Sequence, residues 1–94
     1  MFVFEWDDNK AKTNLKKHGV SFEEAQSVFL DENARIIPDP DHSEEEDRFI
    51  ILGLSLNVKL LVVCHCYRDK EKIIRIISAR KATKTETGQY QEFL

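Results

Sequence analysis

Arginine suits phosphate recognition because its planar donors fork onto anionic oxygens and it stays charged at physiological pH. This chain gathers such cations toward one end. Arg75-Ile76-Ile77-Ser78-Ala79-Arg80-Lys81-Ala82-Thr83 reads as an apolar strand carrying arginines on both faces and running into a capped helix, with Glu86 and Tyr90 beyond. From Lys59 to Lys84 eight basic residues (Lys59, Arg68, Lys70, Lys72, Arg75, Arg80, Lys81, Lys84) face only Asp69 and Glu71, a balance of plus six. From Asp39 to Asp47 six carboxylates (Asp39, Asp41, Glu44, Glu45, Glu46, Asp47) stand with no Lys or Arg, a balance of minus six. The formal net charge of −3, from 17 Asp+Glu and 14 Lys+Arg, therefore hides a dipolar molecule. Cations concentrated on an acidic protein point to a polyanionic substrate or an acidic partner, with a merely solvated surface as the plain alternative.

Cys64-His65-Cys66 invites a metal reading, which the geometry of a strand resists. Side chains alternate faces, so His65 points away from both thiols. A structural zinc needs four ligands, and only His18 and His42 remain to join them. Two small hydrophobes around a core histidine are the better account. No cofactor is implied by any motif.

These residues need a scaffold, and 94 residues with 41 % hydrophobic content make one small domain, 1–94, with a single core. No apolar run approaches the ~20 residues of a membrane helix, no secretory leader is evident in Met1-Phe2-Val3-Phe4-Glu5-Trp6, and the cytoplasm is the expected compartment. Phe2, Phe4 and Trp6 alternate as in a short strand. Asp7 caps a helix through Lys17, ended by Gly19, with Trp6 and Ala11 placed as a hydrophobic staple and Ala11 and Leu15 as a thin apolar stripe. Ser21 and Glu24 form a capping box for a second helix lined by Phe22, Ala25 and Phe29, ending at Asp31 to Asn33. Four strands follow: Ala34 to Ile37, Arg48 to Leu56, Leu60 to Tyr67 and Ile73 to Ala79. Short connections favour an antiparallel meander. Thr83 and Glu86 box the start of a last short helix toward Tyr90 and Phe93, which Gly88 weakens. Helices before hairpin-linked strands give an α+β fold: an antiparallel sheet with two N-terminal helices on one face and a short C-terminal helix. Arg75, between Ile73 and Ile77, must be paired with a carboxylate or exposed in a concave site.

Phe4-Glu5-Trp6-Asp7, Lys10, Asn14, Lys17-His18-Gly19-Val20, Phe22-Glu23-Glu24-Ala25 and Phe29 resemble the opening signature of the BrnT family of type II toxins. Arg48, Gly53, Ser55, Leu61-Val62-Val63, the Arg75–Thr83 stretch, Glu86 and Tyr90 continue the likeness in order over nearly the whole chain. Asp47 stands where Glu commonly precedes the arginine, and the stretch from Ala34 to Glu45 follows no family pattern. The resemblance implies a RelE-like fold and a ribonuclease that arrests translation. It also implies a BrnA-like ribbon-helix-helix antitoxin, a 2:2 heterotetramer that represses its own promoter through antitoxin-bound DNA.

Metal-independent RNA cleavage uses the substrate's 2′-hydroxyl as nucleophile and needs a base, an acid and cations around the phosphorane charge. Arg68 and Arg80 are the expected phosphate clamps, with Arg48 and Arg75 as further candidates. Lys81, Lys10 and Lys17 are candidate RNA contacts. The base is open among His65, His18, Tyr90, Glu23 and Glu24; His65, His18, Tyr90 and Glu24 each have a structural explanation beside the catalytic one. A non-catalytic module acting through antitoxin or DNA binding is the rival function.

Overall fold

The structure is a computed structural model that describes residues 2–40 and 47–94; the acidic run from Asp41 to Glu46 lies outside the described residues. The chain opens with β1 (Val3–Glu5), then α1 (Asp8–His18) and α2 (Phe22–Ser27). Asp7 caps α1 by accepting from Lys10 N–H, and Gly19 closes it at φ 69°, a left-handed conformation glycine adopts without penalty. Ser21 accepts from Glu24 N–H at α2, but the expected box is only half made. The Glu24 carboxylate instead accepts from the Ser55 hydroxyl at 2.8 Å. A 3₁₀ turn, Val28–Leu30, ends the helical segment.

The strands β2 (Arg35–Pro38), β3 (Phe49–Leu54), β4 (Leu60–Arg68) and β5 (Ile73–Lys81) precede α3 (Lys84–Glu92). The sheet order is β1-β5-β4-β3-β2. The expected antiparallel meander holds for β2 to β5, but β1 lies parallel to β5, with Glu5 opposite Arg75, so the sheet is mixed. Local signals cannot announce that pairing, because it joins residues 70 positions apart.

One face of the sheet carries the core. Val20, Phe22, Ala25 and Val28 from the helical segment pack with Ile51, Leu61, Val63, Ile76 and Ala79 from the strands. Burial of this kind contributes roughly 1.5–3 kcal/mol for each large side chain. Gly53 makes the close contact possible: a Cβ there would meet Val28 Cγ1 at 2.8 Å and Ala34 Cβ at 2.9 Å. Leu15, expected on the buried stripe of α1, is 51 % exposed; Asn14 is buried in its place. The reason lies in β5. Strand β1 pairs only with Ile73–Arg75, so the edge of β5 at Ala79 has no strand beside it. The Asn14 amide fills that gap, accepting from Ala79 N–H at 3.0 Å and donating to Ala79 C=O at 2.8 Å and Val20 C=O at 3.0 Å. No helix among the described residues is long and apolar enough to cross a membrane.

Candidate nucleic-acid interface

The opposite face of the sheet carries the arginines. In a regular strand Arg75 and Arg80, five apart, would point to opposite faces. The register shows otherwise. Arg75 pairs with Cys66 and Arg80 with Val62, two residues of the same parity on β4. The β4–β5 register shifts between Cys64 and His65, so that Ile77 is an extra residue in β5. A one-residue bulge of this kind reverses which face the later side chains occupy. The arginines expected on both faces therefore share one. Arg35, Leu52, Val62 and Arg80 form one cross-strand row. Arg48 lines the same recess as Val62, Cys64 and Arg80, and Arg68 has the parity of Val62 and Cys66. All five arginines in the chain thus belong to this face.

The face has two ends. At one, Glu5 Oε2 accepts from Arg75 Nη1 at 2.6 Å and lies 3.6 Å from Arg68 Nε; Arg75 is 28 % and Arg68 53 % exposed. Of the two alternatives for Arg75, the structure has the carboxylate partner. At the other end Arg80 forks onto Glu86, Nη1 to Oε1 at 2.7 Å and Nη2 to Oε2 at 2.9 Å. Glu86 also accepts from Thr83 N–H at 2.8 Å, completing the cap of α3, so the helix start and the guanidinium are fixed together. The Arg80 guanidinium and these hydrogen bonds hold the Glu86 carboxyl down to about 2. Arg35 lies over the Phe93 ring, 3.9 Å from its centroid. Arg68 and the Val62–Arg80 pair are six residues apart on β4, roughly 20 Å at about 3.3 Å per residue. One phosphate cannot touch both.

Between the ends lies a recess of about 270 Å³ lined by Asp39, Arg48, Cys64, Ser78 and Arg80, among others. The Cys64 thiol donates to Asp39 Oδ2 at 3.4 Å; burial and that carboxylate push it up to about 12, so it is a neutral thiol. Ser78 and Ile77 also border a groove of about 310 Å³ on the far side of β5, whose other wall is α1 with Lys10, Lys17 and His18. The lysines of α1 and the arginine face thus meet at the bulge. Lys81 does not join them. Its partner in the ladder is Leu61, which belongs to the opposite face.

The remaining candidates lie elsewhere. His65 is fully buried on the helix-covered side, its ring 4.9 Å from that of Phe29, with Nδ1 3.2 Å from Val63 C=O and Nε2 3.2 Å from the Tyr67 hydroxyl. Burial holds its pKa below the ordinary value and keeps it neutral. Tyr90 is 5 % exposed and donates to Asp31 Oδ2 at 2.6 Å; burial and that bond push its hydroxyl up to about 12. It is a strut from α3 to the turn before β2, where Asp31 also accepts from Leu54 N–H at 2.8 Å. Glu23 is exposed and borders a separate groove with Phe2, Phe4 and Leu30. Among the described residues no group of three or more His, Cys, Asp or Glu side chains converges to hold a metal. The residue that sequence reasoning missed is Glu5. Only the parallel pairing of β1 with β5 reveals it beside two arginines.

Comparison with known proteins agrees with the sequence likeness. Among curated proteins none matches. The crystal structure of the Brucella abortus ribonuclease toxin BrnT superposes with a TM-score of 0.69 at 22 % identity, covering 89 % of this chain and 100 % of that one. At that identity the match speaks for the fold. The family model described as the ribonuclease toxin BrnT of type II toxin–antitoxin systems matches residues 6–86. The α+β fold with its mixed five-stranded sheet and the family match agree, and the chain belongs to the BrnT family of ribonuclease toxins.

Proposed function

We propose that this protein is a metal-independent endoribonuclease that arrests translation, built as a single RelE-like domain and acting in the cytoplasm. The observation that carries the reading is the segregation of every arginine to one sheet face. RNA is a string of phosphates, and a strand laid along this face meets Arg68 and Arg75 at one end, Arg48 in the recess between, and Arg80 at the other. The Lys10 and Lys17 groove continues the path past the bulge. Arg68 and Arg80 contact different phosphates, because roughly 20 Å separates them. In this reading His65 supports the scaffold from the core side, Tyr90 ties α3 to Asp31, and Lys81 contributes only to the general field.

A type II toxin implies an antitoxin partner. A BrnA-like ribbon-helix-helix protein in a 2:2 complex, neutralising the toxin and carrying it to promoter DNA, completes the proposal. A second reading, a non-catalytic module acting through its partner or DNA, draws on one observation: Arg75 and Arg80 are already engaged by Glu5 and Glu86. Purified protein incubated with RNA, with and without ribosomes, separates the two. Cleavage is expected, together with growth arrest on induction without antitoxin. Arg68→Ala is expected to lose about a hundredfold in kcat/KM, the usual cost of removing one preorganised donor, and Arg80→Ala to lower kcat/KM through a raised KM. Arrest undiminished in both variants would remove these arginines from the site. RNA left intact under both conditions would leave the binding module.

A further inference from the structure

We infer that Glu5 is the general base of this cleavage, and that the Arg68–Arg75 end of the arginine face is where the phosphodiester breaks; the inference rests on the ribonuclease reading above. Attack by a 2′-hydroxyl needs a proton acceptor next to a cation that can meet the phosphorane charge. Among the described residues, three carboxylates stand beside or between the arginines of the ladder, Glu5, Asp39 and Glu86, while Glu92 lines only the groove with Arg35 and Phe93, away from the Arg68–Arg75 end. Glu86 has both oxygens committed, to the Arg80 fork and to Thr83 N–H. Asp39 takes the Cys64 thiol inside the recess and has further interactions.

Glu5 differs from both. Its Oε2 meets Arg75 at 2.6 Å, while Oε1 takes no hydrogen bond among the described residues, and the side chain is 35 % exposed. The carboxylate is thus held by one oxygen and open at the other. Arg75, at 28 % exposure, is the holding partner and a positioning residue. Arg68, 53 % exposed and 3.6 Å from the same oxygen, is loose enough to turn onto a phosphate. Of the other candidate bases, His65 is buried behind the sheet, Tyr90 is held against Asp31, Glu24 takes the Ser55 hydroxyl, Glu23 borders a separate groove, and His18 lines the α1 groove at Ile77 and Ser78 rather than the Arg68–Arg75 end.

The step balances without an oxidant or a metal. Glu5 Oε1 takes the proton from the 2′-hydroxyl, and O2′ attacks phosphorus to form the O2′–P bond. The P–O5′ bond breaks, and the departing 5′-oxygen takes a proton from water. Glu5 then returns its proton to solvent. The products are a 2′,3′-cyclic phosphate and a 5′-hydroxyl. Arg68 meets the charge on the pentacoordinate phosphorus, while Arg80, far along the strand, grips another phosphate and acts on binding.

The test is steady-state cleavage by the full chain of a short RNA, with an all-2′-deoxy analogue as the uncleavable binding probe. Glu5→Gln and Glu5→Ser are both made, so that one folded neutral variant suffices, and thermal midpoints report folding. The expected result is a kcat at least a hundredfold lower, with KM and affinity for the analogue within threefold of wild type. Arg80→Ala is expected to show the converse, a raised KM. If the wild type cleaves and both folded Glu5 variants cleave within threefold of it, the inference fails while the ribonuclease reading stands. Loss of analogue binding in step with kcat overturns it too, since Glu5 would then only hold the arginines. A wild type that cleaves no RNA overturns the ribonuclease reading and this one with it.

Discussion

Glu86 shows how one side chain can serve both the scaffold and the site. Its carboxylate closes the capping box of α3 and forks onto Arg80, so protonating it loosens the helix start and the guanidinium together. The Arg80 hydrogen bonds lead in lowering its pKa from 4.5 to about 2. A carboxyl with a depressed folded-state pKa adds stability above its unfolded value and loses it as pH falls through the folded one. The stabilisation by Glu86 is therefore complete above about pH 4.5 and gone near pH 2. Partial exposure of the pair, 40 % for Arg80 and 25 % for Glu86, limits it to about 1 kcal/mol. Urea unfolding of wild type and Glu86→Gln across this range checks the point. The gap between them is expected to be constant above pH 5 and to close toward pH 2. A gap that stays open at pH 2 would mean that the ion pair is not its source.

Among elements, the join between α1 and the edge of β5 depends most on a single residue. Asn14 supplies the pairing that a sixth strand would otherwise give, satisfying both the N–H and the C=O of buried Ala79. Asn14→Ala strands those two groups, each at about 1–3 kcal/mol, so a loss of roughly 2–3 kcal/mol is expected in urea unfolding. A loss below 0.5 kcal/mol would show that water enters and replaces the amide. The same join marks where sequence reading stops. Caps and glycines are local, so Asp7, Gly19, Ser21 and the Thr83–Glu86 box could be read from neighbours a few positions away. Leu15 was expected to face the core because hydrophobicity is the local signal, whereas Asn14 is buried for a backbone 65 residues downstream. The arginine face failed to show for a related reason. Alternation places Arg75 and Arg80 on opposite faces, and a single extra residue at Ile77 undoes that parity without any mark in composition. Glu5 was hidden further still, since its partners are fixed by a parallel pairing across the whole chain.

At the scale of the molecule, the charge pattern decides how RNA must bind. A net charge of −3 repels a polyanion at long range, so association depends on the short-range field of one sheet face. Binding to single strands weakens with salt at a slope of about −0.7 in log affinity against log salt per phosphate neutralised. Arg68 and Arg80 lie roughly 20 Å apart and share no partner, since Arg68 neighbours Glu5 and Arg80 is held by Glu86. Their contributions are therefore independent. With the all-2′-deoxy strand as probe, Arg68→Ala and Arg80→Ala are each expected to reduce the slope by about 0.7, and the double variant by about 1.4. Lys12→Ala, an exposed α1 lysine outside the groove that holds Lys10 and Lys17, is expected to leave the slope unchanged. Salt titrations of affinity across these four proteins and the wild type give the answer directly. A double variant no shallower than either single one would mean that both arginines neutralise the same phosphate. The sheet would then have to bend far from its observed ladder, because six residues of extended β4 separate them.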